Sequence, residues 1–253
     1  MTAFLTPERV DAARSAANLF FAAAQPVAGQ ASRLLGGGEP IEERSAKARS
    51  PATPADGAFA IWGPIFAAGL NHAVRTARNA DDPLVRRTGW LTAAAYAGDT
   101  AWELWAQYRN VGWTSAAIIA ATAGAANAAM LVAARAAADE PARTLVLNSA
   151  APLAGWLTVA SPVNVVTVLS GNGDLPEPAL AWTLDAVAGA TALALAVSRR
   201  IGSAAYALPI AWGLFGVAVA EWGRNPPLAW AASAGVVVSA AGSWRLAASS
   251  PAR

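Results

Sequence analysis

Two carboxylates four residues apart, Asp99 and Glu103, stand in an otherwise apolar run from Trp90 to Tyr108, with Trp102 between them and Trp105 and Tyr108 following. That spacing places both acids on one face of a helix. In a low-dielectric bundle, charging both is costly, so the pair suits a ligand-facing or proton-handling role. The plainer alternative is that Glu103 reaches water and pairs with Arg109. Asp185 lies about a third of the way into a second apolar run, Leu180 to Ser198, where it could hydrogen-bond inside a bundle. His72 and Asn71 fall toward the end of a third run, near Arg75 and Arg78, where an interfacial position is ordinary.

Indoles are the second chemical resource. The chain holds 11 Trp. Trp90, Trp113, Trp222, Trp230 and Trp244 fall near the ends of apolar runs, as expected of anchors at a membrane interface. Trp62, Trp102, Trp156, Trp182 and Trp212 lie deeper. Indoles inside a bundle can wall a flat cavity, and each N–H then seeks an acceptor, which suits a planar aromatic ligand with polar edges.

What is missing narrows the chemistry. The chain has no Cys and one His, so thiolate chemistry and disulfides are excluded, and His72 alone cannot give a haem two axial ligands. No P-loop, dinucleotide fingerprint, two-His metal motif or nucleophile-base-acid arrangement occurs. This argues against a hydrolase or an ATPase. A net charge of +2 marks no nucleic-acid footprint, and the basic residues read better as topology markers.

The elements that must position these groups follow from the charge distribution. Over 253 residues, 55% are apolar and only 13% charged, against roughly 25% charged in soluble domains. Charge-free stretches run Ser15 to Ser32, Gly57 to Val74, Asn110 to Ala134, Thr144 to Gly173, Ile201 to Ala220 and Asn225 to Trp244. Each is near or above the length that crosses a bilayer as a helix. With the two acid-bearing runs, the pattern predicts an all-α, polytopic transmembrane bundle of about eight helices. They lie near 12–30, 57–75, 88–108, 112–134, 144–169, 179–198, 202–220 and 226–246. The first reads as a retained helix rather than a removed signal segment. An Ala-rich soluble bundle is the alternative, but a helix of 25 uncharged residues has no good way to face water. With both termini cytoplasmic, 12 basic residues lie inside and 6 outside. Four of those six fall in the one long polar segment, 31–56. Its Gly36-Gly37-Gly38, Pro40, Pro51 and Pro54 argue against a continuous helix, and it could be a lid over a cavity mouth or a solvated connector.

The run Pro54-Ala55-Asp56-Gly57-Ala58-Phe59-Ala60-Ile61-Trp62-Gly63-Pro64-Ile65-Phe66 resembles the start of the second helix in the TspO/translocator family. Asp99 and Trp102 are similar to that family's Asn-x-x-Trp, and Pro152, Trp156 and Asn164 match the Pro-x3-Trp-x7-Asn spacing of its last helix. The likeness covers residues 12–169 and is nearest to longer bacterial proteins labelled tryptophan-rich sensory protein, which carry extra helices. It implies a TspO-like five-helix unit over 1–169, followed by three additional transmembrane helices over 170–253. It also implies a bacterial cell-membrane location and a cavity under the first loop for porphyrins, haem, sterols or other hydrophobic ligands. By motif position Trp62, Asp99, Trp102, Trp156 and Ala160 would line that cavity, with Glu103 and Asn164 beside them. The added helices could enclose the cavity or form an oligomer contact such as a homodimer. Two departures stand out: Asp99 replaces the usual Asn, and the first loop has no Trp or Tyr. The functions in view are sensing, regulation or transport through a bound planar ligand. The rivals are a proton-coupled transporter using Asp99, Glu103 and Asp185, and an enzyme degrading a bound pigment.

Overall fold

The computed structural model describes residues 6–170 and 178–249. Among them are ten α-helices and one 3-10 helix, with no strand. Eight are long: α1 (Pro7–Ala28), α4 (Trp62–Ala77), α5 (Pro83–Tyr108), α6 (Trp113–Ala134), α7 (Pro141–Ser170), α8 (Pro178–Ile201), α9 (Ala207–Glu221) and α10 (Pro226–Ser249). Two short ones, α2 (Ala31–Leu35) and α3 (Ile41–Lys47), together with the 3-10 helix Asp56–Ile61, fold the first loop into a roof. The expected eight membrane helices are present. The segment 31–56 is broken where its glycines and prolines indicate, although its two short helices have no period that the sequence would reveal. Gly36 and Gly37 both sit at positive φ, 72° and 73°, in the left-handed region that favours glycine.

By length and apolarity alone, three helices are able to cross a membrane: α6, α7 and α8. The physical reason that α1 and α5 escape this criterion is that they carry polar groups, and bury them against each other. On α1, Asp11, Arg14, Asn18 and Gln25 recur at spacings of three, four and seven residues, and all are buried. On α5, Thr88, Thr92, Tyr96, Asp99, Glu103 and Gln107 recur every three or four residues and are likewise buried. Thr92 donates to Asn18 Oδ1 at 2.7 Å, and Asn18 Nδ2 donates to the Gly89 carbonyl at 2.7 Å. At the helix starts, Arg14 and Arg86 converge on Asp11, at 2.8 and 2.5 Å. The lipid-facing sides of the bundle are mostly apolar, with Phe20, Val27, Phe215, Val219 and Val237 each at least half exposed.

The chain passes up and down. Residue pairs 11–86, 18–92 and 25–99 make α1 and α5 parallel, whereas pairs 62–102 and 72–96 make α4 antiparallel to α5. Both described ends therefore lie opposite the roof, on the side where the sequence groups most of its arginines. Arg253 lies outside the described residues. Asp82 caps α5, accepting from the Leu84 and Val85 amides at 2.8 and 2.9 Å, and Pro83 fits the first turn because its missing donor would be unpaired there.

Helices meet through small side chains. Ala73, Ala126, Ala129, Ala133, Ala151 and Ala154 are fully or almost fully buried, as expected where close van der Waals packing rather than water exclusion drives association. The α7–α9 approach is tightest: a Cβ on Gly155 would collide with the Tyr206 carbonyl oxygen, and the Tyr206 hydroxyl is bonded to Thr158 Oγ1 at 2.7 Å. Further along α9, Gly213 lies against Val159, and Gly216 against Pro54 and Ala58 of the roof. The boundary between the two units expected from the sequence, at 169/170, falls in the last turn of α7, and the residues that follow it, 171–177, lie outside the described residues.

Five interfacial indoles were expected, and Trp90, Trp113, Trp222, Trp230 and Trp244 are all at least half exposed. Trp212 departs from its expected deep position. It is partly exposed on α9, and its Nε1 donates to the Ala58 carbonyl at 2.8 Å, tying α9 to the roof.

Candidate functional site

Trp62 begins α4, directly after the 3-10 turn, so its indole hangs beneath the roof. Trp102 on α5 and Trp156 on α7 meet it there, with ring centroids 6.1 and 5.8 Å away, and Phe66 stacks on it at 5.5 Å. All three indoles are buried. The three family-like motifs thus converge on one cluster. Trp102 Nε1 donates to Ser115 Oγ at 3.1 Å, and Ser115 donates to Asn164 Oδ1 at 2.7 Å. Asn164 Nδ2 in turn donates to the Ala160 carbonyl at 3.0 Å. Asn164 and Ala160 therefore sit behind Trp102, holding its ring through Ser115. Trp62 Nε1 and Trp156 Nε1 have no protein partner, although both are buried.

Asp99 and Glu103 share the α5 face that looks toward α1, as their spacing requires. Gln25 Nε2 donates to Asp99 Oδ2 at 2.7 Å, leaving Asp99 Oδ1 and Gln25 Oε1 unpaired. Glu103 is 1% exposed, its Oε2 has no partner, and its Oε1 lies 3.1 Å from where a Cβ on Gly29 would stand. Gly29 has an ordinary right-handed φ of −60°, so space beside the carboxyl, not backbone freedom, calls for glycine here. The Glu103–Arg109 pairing considered from the sequence does not form: Arg109 is exposed and Glu103 is not, and no ion pair involves Glu103 or Asp99 among the described residues.

A cavity of about 540 Å³ opens beside this cluster, within the range of small-molecule sites. Its aromatic wall is Phe59, Trp62 and Phe66; Pro26 and Gly29 at the end of α1 face them; Glu103 stands at its inner side; Arg33, Glu42 and Asp56 of the roof ring its polar side. Of the expected site residues, Trp62 and Glu103 line it. Trp102 and Asn164 line a separate cleft of about 30 Å³ under α3, and Asp99, Trp156 and Ala160 line neither space.

The roof is fastened from several sides. Gln107 is the hub: its Nε2 donates to the carbonyls of Ala28 and Glu103 at 2.6 and 2.9 Å, and its Oε1 accepts from the Ser32 amide at 2.8 Å. Its backbone carbonyl accepts from the Glu39 amide at 2.9 Å and from Arg44 Nη2 at 3.0 Å. Across the bundle, Arg49 reaches Glu221 Oε1 and the Ala220 carbonyl of α9, both at 3.1 Å, and the Ala55 amide donates to the Gly216 carbonyl at 3.0 Å. Neither Gln25 nor Gln107 stands out in the sequence; only their place on the polar stripes of α1 and α5 marks them.

Within the roof, the Lys47 ammonium, 2.5 Å from Glu39 Oε1, holds the Glu39 carboxyl below the ordinary carboxylate range, with Arg44 adding to the effect. Because the folded value lies below the unfolded one, this contribution is complete above the ordinary range and is lost as pH falls through the folded value. Hydrogen exchange across 39–47, corrected for intrinsic rates, is expected to rise as the medium is acidified through that window. In Glu39→Gln the protection should already be reduced at neutral pH and show no acid step. A wild-type profile without the step would remove the ion pair from the roof's fastenings.

Two other expectations are corrected. His72 is not interfacial: it is 1% exposed, its Nδ1 lies 3.1 Å from the Tyr96 hydroxyl, and that hydroxyl also meets Ser149 Oγ, so α4, α5 and α7 are joined at mid-bundle. Asp185 is exposed on the outer face of α8, away from the buried stripe of Ala179, Thr183, Val187, Ala190 and Ala194. It cannot join Asp99 and Glu103 in one internal relay. Among the described residues no cluster of three His, Asp or Glu forms that could hold a metal ion.

An all-α bundle with mostly apolar outer faces, a polar interior seam and a roofed aromatic cavity at one end defines a polytopic helical membrane protein. The chain belongs to the TSPO-like protein family, whose model matches residues 15–244. That match runs from α1 into α10 and passes through the junction between the two units expected from the sequence. Searches among curated proteins and among solved structures returned no match.

Proposed function

We propose that this protein binds a flat, hydrophobic small molecule in the roofed cavity beside Trp62 and acts as a sensor or carrier of that ligand, with a tetrapyrrole as the first class to try. The observation that carries the reading is the coincidence of three things at one place. A cavity of about 540 Å³ has an aromatic wall of Phe59, Trp62 and Phe66, and buried polar atoms at Trp62 Nε1 and Glu103 Oε2 have no protein partner. Unpaired buried polar groups cost stability, so a ligand that supplies their missing partners gains affinity from them. The family to which the chain belongs agrees with this reading. The transport reading through three internal acids loses Asp185, which faces outward. The arginine bias supports an orientation with the roof outside the cytoplasm.

Titrating the purified protein with protoporphyrin should quench indole emission saturably. Trp62→Phe should weaken the apparent affinity several-fold, because Trp62 forms the wall, while Trp156→Phe acts less and through the packing of Trp62. Quenching that does not saturate, with protoporphyrin and with a smaller tricyclic aromatic alike, would overturn the reading. So would an affinity that Trp62→Phe leaves unaltered.

A further inference from the structure

The charge lining the cavity tells which kind of flat molecule fits best. Four of its lining residues are ionisable: Glu103, Glu42, Asp56 and Arg33. Arg33 is the only cation among them, and it is already engaged by Glu42 and by Gln30 Oε1, the latter at 2.8 Å. Asp56 is exposed at the rim. Glu103 differs from these three. It is walled off from solvent, a second acid stands one helical turn away at Asp99, and Oε2 has no donor. A carboxyl buried in this way is stabilised strongly by a positive charge or a charge-assisted donor brought to it, and an incoming anion is penalised by the same surroundings. The same cavity supplies aromatic surface, Trp62 stacked on Phe66, which favours a cation for an independent reason.

We infer that the cavity selects planar aromatic ligands carrying a protonated amine or amidine-like group, which is received by Glu103 while the ring system lies against Trp62 and Phe66. This rests on the ligand-binding reading above and adds to it the sign of the ligand's charge. A ligand whose polar groups are carboxylates, a porphyrin among them, would find no unengaged cation in the lining and should bind more weakly than a cation with comparable ring surface.

The test uses 9-aminoacridine and acridine, two tricyclic probes of nearly equal shape, of which only the first is a cation at neutral pH, with protoporphyrin as the anionic comparison. Binding to the full chain in detergent is followed by the anisotropy of each probe's own fluorescence. 9-Aminoacridine should bind saturably and at least tenfold more tightly than acridine. Glu103→Gln should bring its affinity down to that of acridine while leaving acridine unaffected. Gly29→Ala, which crowds Glu103 Oε1 without altering any charge, should reduce the preference in part, and it serves where Glu103→Gln does not fold. Equal affinities for the two acridines, or a preference that survives Glu103→Gln, would overturn the charge selectivity and leave the cavity reading standing. Protoporphyrin binding without any acridine binding would have the same meaning. Saturable binding of none of the three would sink both.

Discussion

Gly155→Ala should lower the thermal midpoint of the purified protein by several degrees, more than any other single methyl added to a buried face of the bundle. A Cβ at this position meets the Tyr206 carbonyl oxygen inside the distance that real side chains tolerate, with the Tyr206 carbonyl carbon 3.1 Å and its Cα 3.4 Å away. All three are backbone atoms, so no side chain can swing aside, and α7 and α9 must separate. Overpacking of this kind costs about 1–3 kcal/mol. Separation also has a distant consequence, because α9 anchors the roof through Glu221 to Arg49, Gly216 to Ala55 and Trp212 to Ala58. Trypsin should therefore cut after Arg49 faster in the variant. Gly189→Ala on α8 is the control: nothing lies within 4 Å of a Cβ there, so the helix should gain slightly from the loss of a glycine. An unaltered midpoint in Gly155→Ala would mean that the last helices do not dock tightly on α7.

The dependence of the roof on α9 bears on how the chain is divided. A five-helix unit with three helices appended is what the motifs suggest, since all of them fall before residue 170. The contacts tie the two parts together at the roof and at Gly155, and the family match spans both. Of the added helices α9 fastens one side of the roof, whereas none of the three contributes a lining residue to the cavity beside Trp62, so the enclosure of the cavity that the sequence allowed is not what they provide there.

The sequence made depth legible and azimuth only in part. Long charge-free runs locate α6, α7 and α10 closely, because hydrocarbon demands a spanning length without charge and water does not. The spacing of Asp99 and Glu103 places both on one face, and the three tryptophan motifs converge as their family likeness implies. Azimuth fails where a helix offers no contrast between its faces. On α8 the buried stripe is Ala179, Thr183, Val187, Ala190, Ala194 and Ser198, residue types that also occupy the outer face, so nothing in the sequence reveals that Asp185 points away. His72 fails for a different reason. Nearby arginines suggest an interface, but its partner Tyr96 is 24 residues distant in sequence and Ser149, which shares the Tyr96 hydroxyl, is 77, and only tertiary packing brings them together. The polar stripe of α1 was legible in principle from the spacing of Asp11, Arg14, Asn18 and Gln25, and it is the feature that explains how a helix with charged residues lives inside this bundle.

Gly63→Leu is expected to abolish binding of the cavity's ligand while leaving the fold in place. Gly63 lines the cavity on the second residue of α4, and a Cβ there meets no atom within 4 Å. The added side chain takes up cavity space rather than protein space, so there is nothing to overpack. The helix preference gained on replacing glycine, about 0.5–1 kcal/mol, is opposed by the Pro64 ring, which crowds the Cβ of a preceding helical residue, so the thermal midpoint should change little. Most substitutions that destroy a site also damage the protein, because site residues are buried and packed; Trp62, in contact with Trp102, Trp156 and Phe66, is of that kind. Gly63 separates the two effects. A loss of affinity of tenfold or more with a little-changed thermal midpoint locates the ligand in this cavity. Affinity retained in a folded Gly63→Leu protein places it elsewhere.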